Sequence, residues 1–373
     1  MRPNVIDRYY RTFTYQSVDR VPDIEFGYWP QTIRRWVKEG MPLELTREEQ
    51  NQMFLGKLDD FLGFDRMEHD GVGIKVWLNP AFEELVIEKR ENSTIVRDNQ
   101  GCTAERFLHD QDDSSIPHYI KFAVETPDDW RALKERLVID DPVRQFKPEE
   151  VDRLRQSAAA GKMISCHCPG PYGWLRGFIG FENLSVAFYE YPEMIHDMVS
   201  HITEMSLHQL RQIPLDVPID HSNWWEDMAS KNGPFVGPKM FREFLQPCYN
   251  AIGQELKKHG CCIGIVDCDG NPHDIVANWL EEGVNIMFPL EVAAGCDPFA
   301  WRREFGKEMR IRGAIGKQPL VEGGKAIDRE LDRVKPLWEQ GGVIPHLDHL
   351  VPPDISYKNY RDYLDKKRKL IGK

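Results

Sequence analysis

The chain predicts a (β/α)8 TIM barrel with an inserted β-hairpin and helical elaboration at about residues 80–160. Three observations carry that expectation. Eight short apolar runs have strand character, at 21–28, 64–70, 163–167, 217–221, 261–266, 284–290, 309–314 and 343–345. Helical periodicity separates most of them, as in Ile195, Met198, Val199, Ile202 and Met205, then Ile275, Trp279 and Leu280. Gly260 and Gly283 stand where those helices end. No GxGxxG opens a first helix and no P-loop lysine motif is present, which weakens the alternative of a doubly wound open sheet. Eight strands with helical crossovers make the barrel. With 373 residues the chain is long enough for one such domain, 1–373, with the insertion inside it.

Residues 1–20 read as an amphipathic helix with Ile6, Tyr9, Tyr10 and Phe13 on one face. The first strand enters through Pro22 and runs to Tyr28. Helical material follows to about Leu62, with Ile33, Trp36 and Val37 inward and a capping box from Thr46 to Glu49. The strand at 64–70 is expected to close at Gly71 and Gly73. In the insertion, 84–98 predicts a hairpin turning at Asn92-Ser93, another strand follows Gly101, and Thr126 caps a helix with Pro127 at its first position. Pro247 should split the helix at 238–259. The tail from Gly341 to Asp354 reads as a very short strand and then a proline-stiffened loop carrying His346, Asp348 and His349.

Composition narrows the function classes. Hydrophobic content of 41% and charged content of 29% are ordinary for a folded domain. A net charge of −12 argues against nucleic acid or an anionic membrane surface as partner, though not against an anionic substrate. No apolar run is long enough to span a membrane, no secretory signal is visible in 1–7, and the eight cysteines read as reduced thiols. A soluble, cytoplasmic protein is the expectation.

A barrel places its working groups just past the strand ends. Those positions hold Glu25 and Tyr28; His69 and Asp70; His167; His221, Trp224, Trp225, Glu226 and Asp227; Asp267, Asp269 and Asn271; Glu291; and His346, Asp348 and His349. Carboxylates and imidazoles dominate, which suits general acid–base work or a metal. For each a structural role competes: Glu226-Asp227 can start a helix, 267–271 can be an Asx turn, and adjacent tryptophans more often pack than bind ligand. Cys166-His167-Cys168 alternates across a strand, and no Cys-x-x-Cys or His-Glu-x-x-His occurs, so no strong zinc pattern exists.

Several stretches then resemble the uroporphyrinogen decarboxylase superfamily. They are Val18-Asp19-Arg20-Val21-Pro22, the run from Gly173 to Leu184, Glu226-Asp227-Met228-Ala229, the run from Gly237 to Phe244 with Pro247, Asp269-Gly270-Asn271, Pro289-Leu290-Glu291, and the tail from Asp348 to Asp354. The resemblance spans nearly the whole chain and implies a (β/α)8 barrel. It also implies one of two chemistries: cofactor-free decarboxylation of porphyrin acetate arms, or methyl transfer with zinc and a corrinoid held on a partner protein. Two departures stand out. Where the porphyrin branch carries a carboxylate-gripping arginine, this chain has Glu25-Phe26-Gly27-Tyr28-Trp29. Where thiol-activating methyltransferases carry His-x-Cys, this chain has Asp267-x-Asp269, which favours hard oxygen coordination. The tail histidine is matched by His349.

The leading expectation is methyl transfer from a small O- or N-methylated compound in a corrinoid-linked system. Asp269 or Glu226 would act as acid, His349 and His346 would orient, and Asp348 would complete the catalytic group. Tyr28, Asp70, His167, His221, Trp224, Trp225, Asn271 and Glu291 would contact substrate, and Asp267, Asp269 and His346 would hold a divalent metal such as zinc if one is bound. The alternatives are a carboxy-lyase acting on a small carboxylate and a non-catalytic ligand-binding barrel. A small molecule, a corrinoid-binding protein and a second copy of the chain are the expected partners.

Overall fold

The computed structural model describes residues 4–107 and 117–373. In chain order the strands are β1 (His69–Gly73), the insertion strands β2 (Leu85–Lys89), β3 (Ser93–Arg97), β4 (Thr103–Phe107) and β5 (His118–Lys121), then β6 (Met163–Cys168), β7 (His221–Trp225), the short pair β8 (Ala229–Ser230) and β9 (Gly233–Pro234), β10 (Ile263–Asp267), β11 (Ile286–Leu290), β12 (Arg310–Ile315) and β13 (Val343–Leu347). The central sheet is parallel, ordered β1-β6-β7-β10-β11-β12-β13, with helices outside it, and forms a TIM-barrel-like fold. The insertion is a four-stranded antiparallel sheet, larger than the predicted hairpin.

The eighth position is occupied by the extended segment 21–29, which is not a regular strand. On one side Asp65 N–H donates to Asp23 O at 2.9 Å; on the other, Tyr28 bridges Val351, and Val351 N–H donates to Gly27 O at 2.9 Å. The ladder is incomplete because a side chain intervenes: Leu347 N–H goes to the Glu25 carboxylate at 3.2 Å. Alternation along the segment sends Ile24 and Phe26 toward the barrel interior and Asp23 and Glu25 outward to the C-terminal helix Tyr357–Ile371.

Two apolar cores result. The larger lies between strands and outer helices. The smaller lines the lower lumen with Met163, Ile263, Ile265, Ile286, Phe288 and Ile344, and the helix Asn4–Phe13 inserts Ile6, Tyr9 and Phe13 among them, as its amphipathic pattern predicts. The predicted capping box forms at Thr46 with Glu49, and the predicted cap at Thr126 forms one as well, with Asp129. Pro247 follows a π-helical turn, Phe241–Leu245, that divides its helix. No described helix is long and apolar enough to cross a membrane.

Strand boundaries differ from expectation at three places that matter below. β1 contains Gly71 and Gly73 rather than ending at them; a side chain at Gly71 would press on Ser165 of β6, at 3.3 Å. β7 begins at His221 rather than ending there, and β13 continues through Pro345 to Leu347.

Lys367 lies 3.0 Å from Asp23 and 2.8 Å from Glu25, with all three side chains out of solvent. Lys367→Met would strand two buried carboxylates and should cost about 3–5 kcal/mol in urea unfolding. A loss under about 1 kcal/mol would show that closure does not depend on this contact.

Candidate active site

Six elements send polar side chains to the C-terminal mouth. Asp227 follows β7 in a left-handed conformation (φ 44°), which short polar residues tolerate. Asp267 ends β10 and Asp269 follows it. Carboxylate oxygens of Asp227, Asp267 and Asp269 all lie within 4.8 Å of one another. His349, after β13, places Nε2 3.3 Å from Asp269. Its ring stacks on Trp29 (centroids 6.0 Å apart) and meets the edge of Phe26, both from the closing segment. Glu291, after β11, accepts from Gly270 N–H at 3.0 Å, and Asp348 accepts from Ala293 N–H at 3.1 Å. Lys317, after β12, stands 3.4 Å from Glu291 and 3.7 Å from Asp348. Arg176 donates to the Asp227 carbonyl at 2.7 Å and lies 5.0 Å from the Trp225 ring centre.

Crowded acids hold protons. Burial, reinforced by the charges of Asp227 and Asp269, pushes the Asp267 carboxyl up to about 7, with His349 and Arg312 opposing. Burial also raises Asp227 and Asp348. For His349 burial pulls downward, but the hydrogen bond and charge of Asp269 prevail and raise it. The mouth therefore combines a carboxyl that keeps its proton near neutrality with an imidazole that readily gains one.

Beside this cluster lies a cavity of about 500 Å³, lined by Trp225, Trp174, Phe178, Leu78 and Val76, with Asn99 and Gln100 reaching in from the insertion. Gly170 is required at its wall: a side chain there would fall 2.0 Å from the Trp225 carbonyl oxygen. The chamber is predominantly apolar, and Trp225 is paired with Asp267 across the β7–β10 register.

A family model described as uroporphyrinogen decarboxylase (URO-D) matches residues 109–370. The chain belongs to this family. Among solved structures it is similar to a methyltransferase from Methanosarcina mazei, with a TM-score of 0.56, 13% identity and 99% of each chain covered. A B12-independent methionine synthase from Shewanella sp. W3-18-1 is similar over 60% of this chain and 65% of its own, with 13% identity and a TM-score of 0.28. No curated protein matches the chain. The first likeness agrees with the barrel architecture.

Within this family fold, the predicted residues divide. Asp267, Asp269, Glu291, Asp348 and His349 come together at the mouth. Trp224 and Trp225 do not form one wall, because neighbours on a strand face opposite ways: Trp225 lines the chamber, whereas Trp224 packs outside against Tyr249. Glu226 is fully buried, accepting from Gly173 N–H at 2.7 Å and from the Tyr249 hydroxyl, so it anchors the helix Pro171–Ile179 instead of facing the mouth. Burial pushes its carboxyl to about 8.

His346 lies within β13 and points into the lumen, its Nδ1 2.7 Å from the Leu347 carbonyl; it is not with Asp267 and Asp269. Tyr28 is buried and donates to Asp59 at 2.9 Å. Asp70 is tied to Arg153 and Ser157 of the helix Pro148–Ala159. His221 is buried against Tyr9 at the lumen floor, and His167 is exposed on the lumen side of β6. Asn271 closes the loop after β10, accepting from His273 N–H at 3.3 Å. Asp227 thus takes the place expected for His346 in an all-oxygen donor set. Such a set suits a hard divalent cation. A thiol-activating zinc centre does not fit it: Cys268, the neighbouring thiol, is buried and accepts from Met228 N–H at 3.4 Å. Lys317 escaped the sequence reading because the signal sought past each strand was acid or imidazole.

A carboxyl held near 7 in the fold, against about 3.9 in the unfolded chain, binds more protons when native. Its contribution to stability is unperturbed below about pH 4 and worsens as pH rises toward 7. Asp267→Asn should therefore stabilise the protein by on the order of 2 kcal/mol at pH 8, and much less near pH 4. Denaturation midpoints across that range check it; a gain independent of pH would refute the assignment.

Proposed function

We propose that this URO-D family barrel transfers a methyl group from a small O- or N-methylated compound to an acceptor that reaches the C-terminal mouth. The observation that carries the reading is the Asp267 carboxyl, raised to about 7 by burial and its acidic neighbours, on a residue paired with Trp225 of an apolar chamber of about 500 Å³. Methoxy and methylamino groups are poor leaving groups unless protonated as they depart. As the methyl carbon bonds to its acceptor, the carbon–oxygen or carbon–nitrogen bond breaks. Its electron pair stays on the heteroatom, which takes the Asp267 proton. Asp269 and His349, 3.3 Å apart, border the same cluster and position a proton for its return. Trp225 and the apolar chamber walls would contact the donor's body. A corrinoid carried by a partner protein would supply the acceptor. A hard divalent cation held by Asp227, Asp267 and Asp269 would displace the proton and polarise the leaving atom instead.

Porphyrin decarboxylation is not favoured. The segment 25–29 offers no cation, and Glu25 turns outward to Lys367. Decarboxylation of a small carboxylate is the second reading, favoured by Lys317 and Arg176 at the mouth. There, a rim carboxyl would deliver the proton that replaces CO2.

Purified protein mixed with reduced corrinoid and a panel of methylated oxygen and nitrogen donors should form methylcorrinoid, read by absorbance. The rate should decline as pH rises through about 7, and Asp267→Asn should lower it by roughly 10²–10⁴. Absence of methyl exchange with every donor overturns the reading; CO2 release from carboxylates in its place selects the second.

A further inference from the structure

Arg312 projects from β12 into the lumen, its guanidinium 4.5 Å from the ring centre of Phe288. None of the described carboxylates forms an ion pair with it, and its Nε has no hydrogen-bond partner. The acidic groups whose fields reach it are Tyr9, Asp267 and Glu25. Glu25 is already neutralised by Lys367 at 2.8 Å, and Tyr9 is a neutral phenol raised further by burial. Three more buried polar atoms around the lumen stand without partners: the Tyr9 hydroxyl, His221 Nδ1 and His346 Nε2. Burial, with Arg312 beside them, keeps both imidazoles neutral, so the positive charge on this face of β12 comes from Arg312 and from Arg310, two residues earlier, whose Nε and Nη1 also lack partners.

Leaving a guanidinium out of bulk water without a counter-ion is costly, and the cation–π contact with Phe288 offsets only part of it. The lumen is also accessible. Arg312 keeps partial exposure, and His167 and Gly73 on the facing wall are exposed. We propose that Arg312 anchors the carboxylate of an anionic substrate inside the lumen, beneath the carboxyl cluster of the mouth. The planar fork of Arg312 matches a carboxylate. The donor of the reaction is then a methylated carboxylic acid. That last step rests on the methyl-transfer reading, whereas the anion site itself does not.

Binding is measured without turnover. Calorimetry on the full chain with acetate and benzoate, against acetamide and benzamide, should show saturable binding of an acid and none of its amide. Arg312→Gln should weaken the acid tenfold or more, Arg312→Lys should retain part of the affinity, and Lys317→Gln should leave it nearly intact. Should Arg312→Gln fail to fold, Arg312→Lys decides: less than a twofold change overturns the inference. Equal binding of acid and amide, no binding of any acid, or a loss that follows Lys317 instead would also overturn it. Arg312-dependent binding without methyl transfer would leave the anion site standing and remove the proposed reaction.

Discussion

The barrel is held shut by a buried lysine. Lys367, on the last helix, sits between Asp23 and Glu25 of the first extended segment, with Arg368 and Lys373 also reaching Asp23 at 2.7 and 2.9 Å. Ions so far from solvent are tolerated only when fully paired. That requirement fixes which side chains of the segment turn outward. Ile24 and Phe26 are thereby committed to the lumen, and Phe26 and Trp29 are delivered to the ring of His349. Chain ends more than 300 residues apart in sequence thus set the position of one candidate catalytic imidazole.

At the opposite extreme from that balanced cluster, the mouth concentrates like charges. Asp227, Asp267 and Asp269 share a small volume; Lys317 is engaged with Glu291 and Asp348, Arg176 reaches Asp227 and His349 reaches Asp269. Burial, reinforced by that repulsion, favours proton uptake on Asp267, the group proposed as the proton source. Below it the lumen presents the reverse imbalance, the guanidinium of Arg312 without an anion and that of Arg310 beneath it. An excess of carboxyl above and of cation below makes the barrel axis polar, and a ligand bearing an anionic end would align along it.

Errors of a few residues in strand boundaries had large consequences for the site. Since side chains alternate, extending β7 through Trp225 separated Trp224 from Trp225, and extending β13 to Leu347 took His346 out of the mouth while leaving Asp348 and His349 there. Pro345 did not stop the strand. Glu226 was correctly placed past a strand end, yet backbone donation from Gly173 and the Tyr249 hydroxyl drew it inward. Those partners come from other elements and leave no trace near residue 226 in the chain.

By itself the sequence determined the architecture: alternating apolar runs and helical periodicity led to the barrel, and the acidic and histidine residues at 267, 269, 291, 348 and 349 were legible because each ends or follows a strand. Local pattern is sufficient there, since backbone geometry repeats every two or 3.6 residues. Only the tertiary structure decided which acids meet, that Asp227 rather than His346 joins Asp267 and Asp269, and that Arg312 lacks a counter-ion. Electrostatic energy depends on distance through space and on exclusion of water, and neither is written in the spacing of residues along the chain.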